Sequence, residues 1–402
     1  MSLVEPVAPE PAEVKPPDSS FRAGPIVAIS AGHAAHDTYI GFLPILLPSF
    51  VERFGLSNTR AGALSAFTQL PSLLQPFFGH LADRLALRWM VTLAPGITAT
   101  LMSLVGWAPS YAVLALLLTT AGISSAAFHA VASATAGRLS ARHLGRGMSV
   151  WMVGGELGSA LGPLLAAGAL GLLALKGLAW LMLLGWAASF VLHLQLRRLP
   201  AGSLPAGRPG WRRAVGGMRR VMGTVGAMGV LRGMALSAPW TFGPILLKEE
   251  GSSDLLAGAA LTLYLTAGMI GTLGAGWLSD RLGRRAILLA ATLAGPAGLL
   301  LFIFVGGWPR FVFLAVAGLG TVAIHPVCMA LVQETFPENR GLANALYLST
   351  VFIISSLAAV AVGALGDAIG LRPAFVVSGA VTFLSVPLIF LLPPDRRALP
   401  KR

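Results

Sequence analysis

The chain has 402 residues, of which 55% are hydrophobic and only 11% are charged. Because soluble domains carry about 25% charged residues, this composition excludes an ordinary water-soluble protein. The net charge is +13 at pH 7. The basic residues lie between apolar stretches, so we interpret them as signals of membrane topology and not as a nucleic-acid-binding surface. The single cysteine, Cys328, excludes an internal disulfide bond.

The chain begins with a polar segment that is followed by apolar stretches. Residues 1–24 are rich in Pro and Glu and lack a hydrophobic signal-peptide core, so we predict a disordered cytoplasmic tail. A helix that crosses a bilayer needs about 20 apolar residues. Stretches of that length lie at about 25–50, 59–81, 89–108, 110–136, 147–171, 177–196, 222–247, 255–278, 286–307, 310–333, 342–366 and 373–393. We therefore predict an all-α, multi-pass membrane protein with twelve transmembrane helices.

The distribution of Lys and Arg predicts the orientation of these helices. With the N-terminus placed inside, most basic residues fall in the loops of one side, as the positive-inside rule requires of the cytoplasmic face. The longest of these loops, 199–221, divides the chain near its middle. Both termini are therefore predicted to be cytoplasmic, and the protein is predicted to lie in the bacterial inner membrane.

The chain contains an internal repeat. The segment 79–84 returns as 276–281, and the Phe-His pair that ends at His129 corresponds to an Ile-His pair that ends at His325. Two parallel repeats related by an axis along the membrane normal are a transporter architecture. We therefore predict two six-helix bundles. The predicted bounds are 25–198 for the first bundle, 199–221 for a cytoplasmic linker, 222–393 for the second bundle and 394–402 for a basic cytoplasmic tail.

The repeated segment carries a glycine, an acid and nearby basic residues. Glycine lets two helices approach each other, and an acid at a helix end can pair with an arginine in one conformation and release it in another. The pattern resembles the cytoplasmic loop signature of the major facilitator superfamily, which implies a major facilitator fold with gating latches in both halves. The residues concerned are Gly79, Asp83, Arg84, Gly276, Asp280, Arg281 and Arg284.

The fifth predicted helix contains a run of small residues around a proline. Gly154, Gly155, Gly158 and Gly162 are spaced so that a neighbouring helix can pack closely against them. Pro163 removes a backbone hydrogen bond and bends the helix. Gly158, Gly162 and Pro163 also resemble the antiporter motif of the superfamily, which implies export in exchange for protons. Ordinary close packing is the alternative explanation.

A closer resemblance comes from four helices of the first half. The segments concerned are His33-Ala-Ala-His36-Asp37, Gln75-Pro76, Phe128-His129 and the glycine-rich run 153–167. Together they resemble the fosmidomycin-resistance family of bacterial drug exporters, which implies alternating-access export of a fosmidomycin-like or other drug-like compound. The chain departs from that family at two positions. Val131 replaces a glutamate, and Glu156 stands where a polar uncharged residue is expected.

Several ionisable residues fall near the middle of the predicted helices. They are Asp37, His129, Glu156, Arg232 and His325, each about 13–20 Å from the cytoplasmic side at 1.5 Å per residue. Ionisable groups are costly inside a bilayer, so they usually face a cavity or a partner. A carboxyl group removed from water keeps its proton to a higher pH than an exposed one. We therefore predict that Asp37 and Glu156 exchange protons.

Basic side chains are predicted to bind the substrate. The predicted substrate-binding residues are His33, His36, His129, Arg232 and His325. A positive charge in a low-dielectric cavity attracts an anion strongly, so an anionic or polar substrate is expected. Other roles remain open. His33 and Asp37, at i and i+4, would simply pair with each other. The two later histidines would bind backbone carbonyls, and Arg232 would join two helices.

Two other functions are compatible with the sequence. Met148 and Met152, like His325 and Met329, stand one helical turn apart, and such ligands suit Cu(I), so copper import is one alternative. A non-transporting membrane sensor is the other. Enzyme signatures such as a P-loop, a GxSxG elbow and an HExxH helix are absent from the sequence, so we expect no enzyme. We expect a monomer that uses the proton gradient as its energy source and holds no cofactor and no resident metal. Its expected partners are a small-molecule substrate, protons and the lipid bilayer, without nucleic acid.

Overall fold

The computed structural model describes residues 22–84, 88–140, 144–197, 211–336 and 340–393. The regular elements in these ranges are all helical. Most of the predicted N-terminal tail, residues 199–210 of the predicted linker and the predicted C-terminal tail lie outside the described residues. The side chains of Asp83 and Arg84 in the first loop motif also lie outside them.

The described part of the first half contains eight α-helices, several of which are joined by short 3₁₀ turns. The helices are α1 (Ala23–Ile40), α2 (Leu43–Phe54), α3 (Asn58–Gln69), α4 (Gln75–Arg84), α5 (Arg88–Ser103), α6 (Tyr111–Leu139), α7 (Leu144–Gly177) and α8 (Met182–Leu196). The 3₁₀ turns are Leu70–Leu74 between α3 and α4, Leu104–Trp107 after α5, and Leu178–Leu181 before α8.

The second half repeats this pattern of long helices and short breaks. Its helices are α9 (Trp211–Ser237), α10 (Gly243–Glu249), α11 (Asp254–Leu282), α12 (Arg284–Phe304), α13 (Arg310–Thr335), α14 (Arg340–Ile369), α15 (Leu371–Thr382) and α16 (Val386–Leu391). A π-helical turn at Ala238–Phe242 joins α9 to α10, and a 3₁₀ turn at Phe383–Ser385 joins α15 to α16.

Among the described residues, nine segments are long and apolar enough to cross a membrane. One of them, Gly147–Leu196, has 50 residues and is interrupted at Ala174, where the backbone leaves the helical region (φ 55°, ψ 174°). At 1.5 Å per residue it would be about 75 Å long, which is more than twice the thickness of a bilayer core. The protein is therefore a multi-pass membrane protein, and the total of twelve helices stays a prediction.

Serine residues set the start of three helices. Ser57, Ser110 and Ser253 have extended backbones, and the Oγ of each accepts a hydrogen bond from the backbone N–H three residues later, at 3.2–3.4 Å. This is the N-cap arrangement, which satisfies one of the donors left free in the first turn of a helix. The short polar loops before α3, α6 and α11 therefore end where a serine begins the next helix.

The glycine-rich face of α7 packs against α1. A Cβ atom added at Gly154, Gly158 or Gly162 would collide with backbone atoms of α1, and one added at Gly155 would overlap the imidazole ring of His33. The predicted close-packing face is confirmed. The side chains of α1 therefore lie directly beside α7, and His33 contacts Gly155, the residue before Glu156.

Among the described residues, the two halves share an apolar core at one end of the molecule. The largest cluster of buried side chains contains residues of both halves, such as Phe50 and Phe242. Two other clusters each belong to a single half, one around Phe128 and one around Ile324. The shared cluster surrounds the helix ends near Phe54 and Tyr111, so the halves are packed together there and have separate cores toward the opposite end.

Small residues and one acid make the contacts between the halves at the joined end. A Cβ added at Gly258 of α11 would lie 2.6 Å from the Cβ of Ala167 and 2.9 Å from the carbonyl oxygen of Pro163. The carboxylate of Asp367, near the end of α14, accepts hydrogen bonds from the N–H groups of Asn58 (2.6 Å) and Thr59 (2.9 Å). Pro163 of the predicted antiporter motif therefore contributes to the inter-half contact.

Candidate functional site

Three histidines surround one carboxylate in the first half. Asp37 lies near the end of α1, and its Oδ2 is 3.2 Å from Nε2 of His33. Its Oδ1 is 2.8 Å from Nδ1 of His36 and 3.5 Å from Nε2 of His129, which comes from α6. The predicted pairing of His33 with Asp37 is confirmed. The structure also places His129 of α6 beside the same carboxylate.

Backbone carbonyls and aromatic rings orient two of these imidazoles. Nδ1 of His33 donates to the carbonyl oxygen of Trp151 at 3.0 Å, and Nδ1 of His129 donates to that of Ser125 at 2.9 Å, because a carbonyl can only accept. The ring of His33 stacks on Trp151 with centroids 3.7 Å apart. The open alternative that His129 binds a backbone carbonyl is therefore correct, although the same ring also reaches Asp37.

The first-half cluster has the composition of a metal site. The ligating atoms of His33, Asp37 and His129 all lie within 4.8 Å of one another. Glu156 on α7 lies beside these residues and is partly buried. It directly follows Gly155, which contacts the ring of His33. The arrangement can hold a proton, a cation or a cationic group.

A second site lies in the other half, around Arg232 of α9. Arg232 Nη2 donates to the carbonyl oxygen of Thr321 at 3.0 Å, and the hydroxyl of Thr321 is 2.8 Å from that of Tyr264. The hydroxyl of Tyr347 is 3.1 Å from Nδ1 of His325. Arg232, Thr321, His325 and Tyr347 line a cavity that encloses about 580 Å³, part of it open to solvent.

The lining of this cavity is mainly apolar, and its polar groups include two basic side chains. Arg232, His325, Cys328, Tyr347 and several hydroxyl and apolar residues form it, and no acidic residue is among them. Within the described part of the chain, Arg232 has a backbone carbonyl as its hydrogen-bond partner and no carboxylate. The predicted residues Arg232 and His325 thus share one cavity, while the predicted residues His33, His36, Asp37 and His129 form the separate cluster of the first half.

Several functional candidates were not predicted from the sequence. Trp151, Ser125 and Thr321 act through backbone carbonyls, which leave no trace in residue type. Tyr347 was missed because an aromatic residue on an apolar helix is normally a core residue. The tyrosine lies 22 residues from its histidine partner, so no helical spacing links the two in the sequence.

The second loop motif forms an ion-pair network within its own half. Arg284 Nη2 lies 2.6 Å from Oδ1 of Asp280 and 2.8 Å from Oε1 of Glu334 on α13. The guanidinium of Arg281 lies over the ring of Trp277, 3.6 Å from its centroid. The loop between α11 and α12 is therefore tied to the end of α13. Its predicted role as a latch between conformations stays a prediction.

The methionines of the copper alternative have different environments. Met148 packs partly against the single-half cluster around Phe128, whereas the side chain of Met152 is exposed. In the second half, Met329 packs partly against the cluster around Ile324. No described contact brings the two pairs into one ligand set.

The sequence belongs to a known transporter family. The profile described as Major Facilitator Superfamily matches residues 29–224 and 225–402, which together cover most of the chain. The chain therefore belongs to the Major Facilitator Superfamily, and it is a membrane transporter and not an enzyme.

Curated relatives point to the same family along their full length. An uncharacterised MFS-type transporter of Bacillus subtilis (strain 168), YfnC, is 27% identical over 389 residues, covering 92% of this chain and 93% of its own. The fosmidomycin resistance protein of Escherichia coli (strain K12) is 25% identical over 410 residues, covering 98% of both chains. The predicted resemblance to the fosmidomycin-resistance family is confirmed.

Solved structures confirm the fold. A bacterial homolog of the human lysosomal transporter Spinster, in an inward-facing and occupied conformation, superposes with a TM-score of 0.77 at 14% identity and covers 92% of this chain and 97% of its own. A D-xylose–proton symporter superposes with a TM-score of 0.73 at 15% identity, covering 94% and 99%. At these identities the likeness concerns the fold alone.

Proposed function

We propose that this transporter exports a small organic anion, of the fosmidomycin type, from the bacterial cytoplasm in exchange for protons. It lies in the inner membrane with twelve transmembrane helices, in two bundles at 25–198 and 222–393, and with both termini in the cytoplasm. The observation that carries the anionic substrate is Arg232, a guanidinium that faces a membrane-buried cavity whose lining contains no acid.

The electrostatics of the second-half cavity favour an anion. An arginine near the centre of a bilayer costs at least about 2.5–3.5 kcal/mol unless a partner or water stabilises it. Arg232 has only the carbonyl of Thr321 as a described protein partner, so its remaining donors are available to a ligand. A guanidinium binds a planar or tetrahedral oxyanion through parallel hydrogen bonds. Tyr347 and His325 add polar groups on the same wall.

The access to the cavity and the name of one relative bear on the cargo. The space beside Arg232 is partly open to solvent, so a ligand can reach the guanidinium. The E. coli relative is named for fosmidomycin resistance. That name and the basic cavity together support a drug-like anion as the cargo, and they support export as the direction.

Proton exchange is proposed to involve the first half. Glu156 is partly buried on α7 beside the cluster of three histidines, and Asp37 is the carboxylate at the centre of that cluster. The halves are packed together at the end near Phe54 and have separate cores at the other end, which is what rocking of two bundles about a central site requires. Protons and substrate would then bind to different halves of one transporter.

The test uses inside-out membrane vesicles that contain the protein. Respiration acidifies the lumen and quenches a dye, and fosmidomycin is then added. We expect a substrate-dependent rise in fluorescence. Arg232→Gln should raise the concentration for half-maximal response by about 10- to 100-fold, because a hydrogen bond to a charged group contributes about 1.5–3 kcal/mol. Glu156→Gln should remove the proton release.

The matched control is Arg220→Gln. Arg220 lies on the same helix as Arg232 but is exposed near its other end, so its loss should leave the response unchanged. An equal loss of response in both arginine variants, or a wild-type response in Arg232→Gln, would contradict the anion site. Wild-type proton release in Glu156→Gln would contradict its role in coupling.

A further inference from the structure

Two imidazole rings of the first-half cluster meet at their Nε2 atoms. Nε2 of His33 lies 3.1 Å from Nε2 of His129. Because each ring uses its Nδ1–H to donate to a backbone carbonyl, the Nε2 of each neutral ring carries a lone pair. Two lone pairs at this distance repel each other unless a positive species lies between them. The geometry therefore points to a positive species at this position, which is either a proton shared by the two rings or a metal ion.

The spacing of the three nearest donor atoms fits a metal ion. A tetrahedral ion with Zn–N and Zn–O bonds of about 2.0–2.2 Å holds neighbouring ligand atoms about 3.3 Å apart. The Nε2 atoms of His33 and His129 are 3.1 Å apart; the first lies 3.2 Å from Oδ2 of Asp37 and the second lies 3.5 Å from Oδ1. The two nitrogens are therefore close to the tetrahedral separation, and each has an oxygen of the Asp37 carboxylate at about that distance. The donor atoms of the three residues lie within 4.8 Å of one another.

The surroundings of the three ligands are those of a built metal site. Metal-ligating histidines almost always donate their other ring N–H to a carbonyl or a carboxylate, which fixes the tautomer and aims the lone pair. Trp151 and Ser125 supply these carbonyls here. The carboxylate of Asp37 in turn accepts from Nδ1 of His36, as ligating carboxylates do.

The site is buried but reachable. The side chains of His33 and Asp37 are 6% and 15% exposed, whereas His129 is 29% exposed, so the protein does not fully enclose the cluster on the His129 side. Three protein ligands leave a fourth tetrahedral position for water or a transported group. Gly155 keeps room for the His33 ring, because a side chain there would overlap it.

We propose that Nε2 of His33, Nε2 of His129 and a carboxylate oxygen of Asp37 bind a divalent first-row metal ion of the zinc class. Imidazole nitrogen with one carboxylate suits zinc, cobalt, nickel and copper(II), in contrast to the thioether ligands of the copper alternative. The proposal revises the expectation that the chain holds no metal. It goes beyond anion export and does not depend on it.

The experiment is a metal titration of the purified full-length transporter in detergent, without transport substrate. Co²⁺ is added first, because a four-coordinate Co²⁺ ion absorbs visible light far more strongly than an octahedral one. We expect a saturable visible band at one Co²⁺ per chain, and Zn²⁺ should displace the ion and remove the band. His129→Gln and Asp37→Asn should each weaken binding by more than about 100-fold, which exceeds the about 10- to 100-fold effect of losing a supporting partner.

The controls separate this site from surface histidines and from misfolding. His325→Gln changes the partly buried histidine at the corresponding position of the second half, and His193→Gln changes an exposed one on α8. Both should keep the band. His36→Gln leaves the three ligands in place and should weaken binding by about 10- to 100-fold. Melting curves and size-exclusion profiles identify any variant that does not fold.

Three results would overturn the proposal. The first is a wild-type protein that gives no four-coordinate band at millimolar Co²⁺, which would mean that the cluster holds protons only. The second is a band that persists in folded His129→Gln and Asp37→Asn, which would identify an adventitious ion only. The third is a band that is lost in His193→Gln alone. Because the assay contains no transported anion, these results are independent of the vesicle test of export.

Discussion

Substitution of Asp367 should open the end at which the two halves are joined. The first four N–H groups of α3 have no partners within the helix. Ser57 accepts those of Arg60 and Ala61, whereas Asp367 of the other half accepts those of Asn58 and Thr59. One carboxylate therefore completes a helix N-terminus across the interface, and it also accepts the Thr59 hydroxyl at 2.6 Å.

The size of the effect follows from these contacts. Loss of an N-cap costs about 0.5–2 kcal/mol, and loss of a negative charge at a helix N-terminus costs about 0.3–1 kcal/mol when exposed. Asp367→Ala should therefore destabilise the joined state by about 1–2 kcal/mol relative to the state in which this end is open. That difference changes the ratio of the two states by about 5- to 30-fold. Asp367→Asn keeps one acceptor oxygen but replaces the other with an NH2 donor, so its effect should lie between that of the wild type and that of Asp367→Ala.

The assay is a distance measurement between spin labels placed on the two halves at this end of the transporter. We expect Asp367→Ala to increase the population of long distances. Asp254→Asn is the matched control, because Asp254 is an exposed acid near the same end that pairs with Lys248 of its own half at 2.9 Å. A distribution that is unchanged in Asp367→Ala, or changed equally in Asp254→Asn, would refute the reasoning.

An independent variant tests the same end. Gly62 of α3 lies against the backbone carbonyl of Ala359 on α14, and a Cβ added there would collide with that carbonyl. Gly62→Ala should therefore also shift the distances toward the open state. It changes no charge, so agreement between the two variants would assign the effect to the contact and not to electrostatics.

Two further predictions concern the sites themselves. Gly155→Ala should lower the stability of the protein by about 1–3 kcal/mol, as is usual for overpacking, because the new methyl group overlaps the ring of His33. Thermal unfolding measures this loss. Gly168→Ala on the same helix is the control and should be neutral, because the space around Gly168 is open. Tyr347→Phe should raise the substrate concentration for half-maximal transport by about 2- to 10-fold while leaving expression and melting temperature unchanged, because it removes only the hydroxyl beside His325. An unchanged concentration dependence would place Tyr347 outside the binding site.

The positions of the long helices could be predicted from composition because the bilayer imposes a minimum apolar length. The stretches expected at 255–278 and 310–333 correspond to α11 (Asp254–Leu282) and α13 (Arg310–Thr335). The stretch expected at 25–50 is instead two helices, with a break between Ile40 and Leu43. A hydrophobicity window cannot find such a break, because apolar residues continue through it while Gly41 packs against Gly162 of α7.

The candidate sites were predictable in part. The pairing of His33 with Asp37 follows from helical spacing, and Arg232 is conspicuous as a charge in an apolar segment. The contact of His129 with that pair could not be predicted, because it depends on how α6 is placed beside α1. The separation of the predicted residues into a histidine cluster in one half and a basic cavity in the other was equally inaccessible.

The sequence by itself therefore determined the transmembrane class, the internal repeat, the family and the types of ionisable group buried in the helices. These features depend on composition and on spacing along one chain, which the bilayer and the 3.6-residue helical period translate directly into structure. Only the tertiary structure decided which ionisable groups meet, which carbonyls orient them and which end of the two halves is joined. Those outcomes depend on the packing of helices that are distant in sequence, where a glycine such as Gly155 or a carbonyl such as that of Trp151 sets distances of a few ångströms.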